Sequence, residues 1–335
     1  MKSDDILIPM SNLPEIPLID LGARPVGDLV EAAPERFDDL MKLSLSHYGR
    51  LALRQGDRAT KRWLRRHANP YAGEISDIAT RVSHPGAYLL NLSYEWSCTS
   101  GVAADPREKE NSRLLRTLDW PLDGLGRNVI VSRVDADAGP YFNVTWPGFV
   151  GVLTAMAPGR FCAAINQPPM RRYTSSCRFD WMVNRVGMWR KTGLPPVHLL
   201  RRVFDQCATY DEAKKALCET RLCLPAFISL SGVKAEDGCV VERTENRAAI
   251  RPAPVAVANH WVALDERGMD RGIDSRGRFE HMQQNQRKAG DNFDWVKSPI
   301  LNETTRLAVM ACAANGALRV QGWENGQPAT AAFSL

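Results

Sequence analysis

Cys98 stands in "SYEWSCTSGVAAD", between two small polar residues and ahead of a short apolar run. A thiol of ordinary pKa, about 8.5, is mostly protonated at neutral pH, and no sequence-adjacent histidine is placed to take its proton. Eighteen residues on, "RTLDW" sets Arg116 and Asp119 three apart. Two asparagines end apolar runs, Asn166 in "RFCAAINQPP" and Asn259 in "VAVANHW", and "DSRGRFEHM" offers Arg276 and Arg278. Taken singly, each has a plain structural reading: a buried thiol, a local ion pair, turn asparagines and solvated arginines. Their order along the chain says more than any one of them.

The elements that must position these residues fall into three textures. Residues 1 to about 80 read as a Pro-punctuated entry followed by helical, basic sequence, most periodic in "PERFDDLMKLSLSHYGRLALRQ". From about residue 86, "GAYLLNLSYEWSCTSGVAAD", "NVIVSRVDAD", "YFNVTWPGFVGVLTAMAPG" and "RFCAAINQPP" are short apolar or alternating runs punctuated by Gly, Pro, Asp and Asn, as successive strands are. Between about 180 and 219 the apolar spacing turns to three and four, which predicts two or three helices, one starting at Pro195-Pro196. Strands then return in "LPAFISLSG", "GCVVERTEN", "RAAIRPAPVAVANHW" and "TRLAVMACAANGALRVQGW", where Asn315-Gly316 is a hairpin turn. Strands, helices and strands again predict a layered α+β architecture.

The totals narrow the class. At 335 residues, with 44% hydrophobic and 24% charged residues, the chain is an ordinary globular sequence and not a disordered or coiled-coil one. No window holds the ~18 consecutive apolar residues that a membrane-spanning helix needs, and the first residues lack an uninterrupted signal-type apolar core, so the expected location is the cytoplasm. The eight cysteines (98, 162, 177, 207, 218, 223, 239 and 312) show no metal-binding spacing, so no metal site and reduced thiols are expected. The net charge of +5 is uneven: residues 42–66 carry eight basic side chains against Asp57 alone. That segment reads either as a solvated helix face or as a surface for anionic lipid head groups or an acidic substrate. No recognisable nucleic-acid-binding motif accompanies the charge.

The succession Cys-Thr-Ser-x-Val-Ala, Arg-x-x-Asp, Pro-Gly-Phe-Val-Gly-Val-Leu-Thr-x-Met-x-Pro-Gly, Asn-His-Trp and Asp-Ser-x-x-Arg resembles the acid ceramidase and N-acylethanolamine acid amidase family. The same plan is similar to the bile salt hydrolase and penicillin V acylase branch of the N-terminal nucleophile (Ntn) hydrolases. The resemblance covers roughly residues 86 to 335, is most specific from Pro147 to Asn166, and extends to the Tyr94-Glu95 pair before the cysteine. It implies a four-layer αββα sandwich with an N-terminal mainly helical segment and Cys98 as nucleophile. It also implies internal cleavage between Ser97 and Cys98, which divides the chain into residues 1–97, a propeptide or retained α chain, and residues 98–335, the catalytic β chain. Ceramidases carry a bulky apolar residue where this chain has Ser97.

By the same resemblance, Asp119 would hold the new α-amine, Arg116 would favour the thiolate, and Asn259, with Asn166 as a second donor, would bind the oxyanion. Arg276 or Arg278 would complete the charge pattern, the ceramidase branch favouring the first and the bile salt hydrolase branch the second. The implied reaction is hydrolysis of an N-acyl amide through an acyl-thioester, with no metal or organic cofactor. Met156, Met182, Trp146 and Trp181 are either ordinary core or the lining of an acyl pocket. The alternatives are an acyltransferase of the same fold and a non-catalytic or membrane-surface binding protein.

Overall fold

The computed structural model describes residues 13–82, 84–92 and 96–335. Tyr94, Glu95 and the first twelve residues lie outside the described residues, as do the side chains of Cys177 and Trp181. The chain opens with β1 (Leu18–Gly22) and the helices α1 (Leu29–Ala32), α2 (Pro34–Tyr48), α3 (Arg50–Arg66), α4 (Ala72–Arg81) and α5 (Ala87–Leu90). Strands β2 (Ser97–Ala104), β3 (Ser112–Asp119), β4 (Ile130–Val134), β5 (Tyr141–Thr145), β6 (Thr154–Ala157) and β7 (Phe161–Asn166) follow. After them come α6 (Cys177–Arg190), α7 (Pro196–Gln206) and α8 (Tyr210–Glu219). The rest is β8 (Ala226–Ser231), β9 (Gly238–Arg243), β10 (Ala248–Pro252), β11 (Val255–Val257), α9 (Ser275–Asn285), β12 (Thr305–Cys312), β13 (Ala317–Glu324), β14 (Gln327–Pro328) and β15 (Phe333–Ser334).

These strands make two sheets. One runs β1-β4-β5-β6-β7-β8-β9-β10, antiparallel except for β1 beside β4. The other runs β11-β2-β3-β12-β13-β14, with β15 on β13. Strands β2 and β3 lie against β7 and β8 of the first sheet, α7 and α8 cover that sheet from outside, and α9 covers β2 and β11 of the second. The result is the expected helix–sheet–sheet–helix order. Sandwiched strands are enclosed on both faces, so β3 is buried at all eight positions, its Arg113, Arg116 and Asp119 included. Burying such charges is costly unless they are paired, which marks this strand for inspection.

Local chemistry explains most boundaries. Pro196 opens α7 and a reciprocal Thr209–Glu212 capping box opens α8. Gly49, at φ +77°, breaks the basic segment into α2 and α3. Asp274 caps α9 by accepting the Gly277 N–H at 2.9 Å. Helix α9 approaches β2 closely because Gly101 has no side chain: a Cβ there would stand 2.6 Å from Gln286 Oε1 and 2.8 Å from Met282 Sδ.

One expectation fails. The strand expected from residue 86 is instead helix α5 and a turn, and strand structure begins only at Ser97. The Asp57 carboxylate of α3 accepts the N–H groups of Gly86 (2.7 Å), Tyr88 (3.1 Å) and Leu89 (2.9 Å), a tertiary cap that stabilises a short helix against its strand-like composition.

The segment before Cys98 is integral to the core. Ile16, Leu29, Phe37, Ile75 and Tyr88 join one hydrophobic cluster with residues of β2 through β13. A polar clamp adds to it. Arg201 of α7 binds both oxygens of Glu74 of α4, at 2.8 and 2.9 Å, and lies 4.4 Å from the Tyr71 ring centroid. Asp205 accepts from Tyr141 (3.0 Å) and Tyr71 (3.4 Å), and Asn69 donates to His198 Nδ1 at 3.0 Å.

Candidate active site

Strand β2 carries Cys98 and its neighbour β3 carries Arg116 and Asp119, so three residues spread over 22 positions converge through sheet pairing. Cys98 faces Leu118 in register, Ser97 faces Asp119 and Ser100 faces Arg116. Cys98 is fully buried. Its Sγ lies 3.2 Å from Arg116 Nη2 and 3.5 Å from the Ile165 carbonyl of β7, which Arg116 Nη2 also reaches at 3.2 Å. Its backbone N–H donates to Asn259 Oδ1 at 2.9 Å, and its carbonyl accepts from Arg278 Nη1 at 2.7 Å. Sulfur, nitrogen and oxygen of one residue each have a dedicated side-chain partner.

Arg278 ties the cluster together. It also donates to Thr99 Oγ1 (2.8 Å) and Asn259 Oδ1 (3.0 Å), and stands 3.5 Å from Asp119 Oδ2. Asp119 Oδ1 accepts from Thr305 at 2.9 Å, while Oδ2 is buried without a hydrogen-bond donor among the described residues. Arg276, two residues earlier, points outward, 72% exposed and paired with Asp270 at 3.4 Å. The turn of α9 decides between them: residues two apart lie on different faces of a helix.

The asparagines differ too. Asn259 uses Nδ2 on the Gln167 carbonyl at 2.7 Å, which leaves the second hydrogen of that amide available. Asn166 is buried beside the cluster, but its Nδ2 donates to both Val257 and Ala258 carbonyls (3.2 and 3.3 Å) and its Oδ1 accepts from Ser100. It clamps β7 to the loop that carries Asn259. The expectation of a second oxyanion donor at Asn166 therefore meets an amide whose donors are both engaged.

The electrostatics of the uncut chain hold the thiol neutral. Burial pushes the Cys98 thiol up to about 11, against the opposing pull of Arg116 and Arg278. Burial likewise raises the Asp119 carboxyl, opposed first by Arg278 and then by Thr305. Two guanidiniums thus face one carboxylate, leaving positive potential at the sulfur. Sequence reasoning missed Ile165, Thr99, Ser275 and Thr305, whose contributions are a carbonyl and hydroxyls in ordinary strand and loop composition. Among the described residues no group of three or more His, Cys, Asp or Glu is gathered as a metal site would need.

Residues 182–301 match the family model described as acyl-coenzyme A:6-aminopenicillanic acid acyl-transferase. The chain is 28% identical over 153 residues to the N-acylethanolamine-hydrolyzing acid amidase of Caenorhabditis elegans, covering 45% of this chain and 41% of that protein. It is 29% identical over 195 residues to the acid ceramidase of Balaenoptera acutorostrata scammoni, covering 52% and 47%. Over these stretches the chain is similar to the acid ceramidases and to an N-acylethanolamine-hydrolyzing acid amidase. The chain spans about half the length of the curated proteins it matches. Among solved structures, it aligns with the Caenorhabditis elegans amidase ortholog at TM-score 0.48 and 23% identity, over 65% of this chain and 93% of that one.

Proposed function

We propose that the protein is a cysteine-nucleophile amidase that hydrolyses the carboxamide bond of an N-acyl amide through an acyl-thioester on Cys98, after scission between Ser97 and Cys98. The observation that carries this reading is the three-sided hold on Cys98 by Arg116, Asn259 and Arg278 in a cluster with surplus positive charge. In the scission step Sγ bonds to the Ser97 carbonyl carbon, the peptide C–N bond breaks, and the thiol proton passes to the Cys98 nitrogen. Water then hydrolyses the thioester, leaving the Ser97 carboxylate and a free thiol. The new α-amine, with an ordinary pKa near 8, is a base beside its own sulfur. Asp119 Oδ2 is the buried acceptor for the resulting ammonium.

In turnover the thiolate adds to the amide carbonyl, and the free N–H of Asn259 binds the developing oxyanion, a contact worth roughly 10²–10³ in rate. The ammonium protonates the leaving amine, and water cleaves the thioester. The scheme needs no metal or organic cofactor. Residues 1–97 remain as an α chain, held by β1 in the first sheet and by the Arg201–Glu74 clamp.

A small apolar cavity, of about 70 Å³, could open into an acyl site but is too small as it stands for a long chain. Phe37, Met41, Leu90, Trp120, Trp146 and Phe149 line it between the helical segment and the sandwich, and Trp120 directly follows Asp119. Of the four residues expected as core or pocket, Trp146 lines this cavity, Met156 is buried in β6, and Met182 is exposed on α6. The alternative of acyl transfer to a second amine, favoured by the name of the matching family model, uses the same thioester, and product analysis with added amine separates the two.

A membrane contact has its own support. All eight basic residues of 42–66 are exposed, while Asp57, the one acid, is turned onto α5. Helix α6, which packs on α3, exposes Phe179, Met182 and Val186 beside them. Co-sedimentation with anionic vesicles should be strong at low salt and fall as salt rises, and no binding at low salt would discard this surface.

Intact mass and N-terminal sequencing test the main reading. Fragments meeting between Ser97 and Cys98, lost together with amide hydrolysis in Cys98→Ala, are expected. An uncut chain that hydrolyses amides would remove the α-amine from its role as base.

A further inference from the structure

Asn259 is held at four points besides Cys98, one of them its carbonyl, which accepts the Arg271 N–H at 3.4 Å. Its Nδ2 is on the Gln167 carbonyl, its Oδ1 receives Arg278 Nη2, and its backbone N–H donates to Ser275 Oγ at 2.9 Å. Ser275 and Arg278 are three apart in the first turn of α9 and therefore share a face, so one helix end grips both the backbone and the side chain of Asn259. Ser275 Oγ is also 2.9 Å from His260 Nδ1. A hydroxyl has a single proton. The hydroxyl oxygen accepts the Asn259 N–H, and His260 Nδ1 is the one acceptor found for its proton among the described residues, so Ser275 donates to Nδ1 and the His260 proton sits on Nε2. The ring is fixed in turn by edge-on contact with Phe279, centroids 5.1 Å apart. Ser275 and His260 are 4% and 5% exposed, so water does not substitute readily for either partner.

We propose that Ser275 and His260 are positioning residues that act through Asn259: His260 fixes the Ser275 hydroxyl, the hydroxyl fixes the Asn259 backbone, and Asn259 thereby meets the Cys98 nitrogen and the oxyanion in register. Neither touches the reacting atoms. The inference rests on the role given above to Asn259, and it makes the sequence Asn-His-Trp a functional pair followed by an anchor, since Trp261 packs edge-on against Phe227 at 4.7 Å.

The experiment compares Ser275→Ala, His260→Phe and His260→Asn with the wild-type cleaved protein on a fluorogenic N-acyl amide. Asparagine places its side-chain oxygen close to where Nδ1 stands and so retains the acceptor. Ser275→Ala and His260→Phe should lose on the order of ten- to a hundredfold in kcat with KM moved less than about threefold, the signature of misplacement and not of weakened binding. His260→Asn should recover most of that loss. Hydrogen exchange gives a second readout that needs no turnover: peptides covering residues 257–262 should exchange faster in the first two variants and at the wild-type rate in His260→Asn. Equal kcat in His260→Phe and His260→Asn, or unchanged exchange in Ser275→Ala, would overturn the relay. A wild-type protein without amidase activity but with the predicted exchange pattern would count against the amidase reading and leave the relay standing.

Discussion

Two of the buried charged clusters in this molecule treat their arginines differently. At the junction of α4 and α7, Arg201 has two carboxylates within reach, Glu74 and Asp205, and is further enclosed by Tyr71 and the Val150 carbonyl. Around Cys98, Arg116 and Arg278 share the single carboxylate of Asp119, and Arg116 leaves its Nε and Nη1 without hydrogen-bond partners among the described residues. The first cluster surrounds one guanidinium with two carboxylates and holds two segments together. The second carries surplus positive charge beside the Cys98 thiol, which burial keeps protonated; on the proposed reading it is preorganised for the thiolate. Unmet buried donors cost stability, and the proposed catalysis by electrostatic preorganisation would use them.

The largest expected effect comes from removing the surplus charge. Arg278→Ala should lower amide turnover by roughly a thousandfold, the scale of losing an aligned electrostatic group. Arg276→Ala, on the exposed face, should stay within about twofold, as surface substitutions do; equal losses from the two would erase the distinction drawn from α9. In the Arg201 cluster the readout is stability. Arg201→Met leaves Glu74 and Asp205 without their cation and should cost about 2–3 kcal/mol in urea unfolding, with kcat of the folded protein unchanged. A fall in kcat instead would make the clamp part of the catalytic apparatus.

The smallest effect is a slope. Burial, aided by Arg201, pulls His198 down from 6.5 to about 3, so the folded state keeps it neutral where the unfolded chain takes a proton. The stability it contributes is present above pH 6.5 and is lost as pH falls from there through about 3. His198→Gln should flatten the acid side of the stability curve over that window, and an unchanged slope would show that other groups set it.

Much of this was legible beforehand, and the failures have physical causes. Cys98, Arg116, Asp119 and Asn259 were legible through the resemblance in motif order and not through periodicity, since β2 and β3 are buried along almost their whole length; sheet pairing then brings Cys98, Arg116 and Asp119 together. The choice between Arg276 and Arg278 was not legible because α9 has little apolar periodicity and a glycine in its first turn; Asp274 as its cap was the available signal. Helix α5 was hidden because its stabilising cap, Asp57, lies about thirty residues away. The engagement of Asn166 is equally invisible in sequence, since its partners are the carbonyls of Val257 and Ala258, and any residue has a carbonyl.

Strand β2 lies inside its sheet, paired with β3 from Ser97 to Ala104 and with β11 from Ser100 to Val102. Chain ends ordinarily fray, because nothing holds them on the far side. If the bond before Cys98 is cut, the new first residue is still paired with β3, and two residues on, the strand gains β11 as a second neighbour, so the end stays fixed to the sheet. The cut frees an amine without freeing the residue that bears it, so a nucleophile at the start of a chain can be aimed as closely as one in its middle.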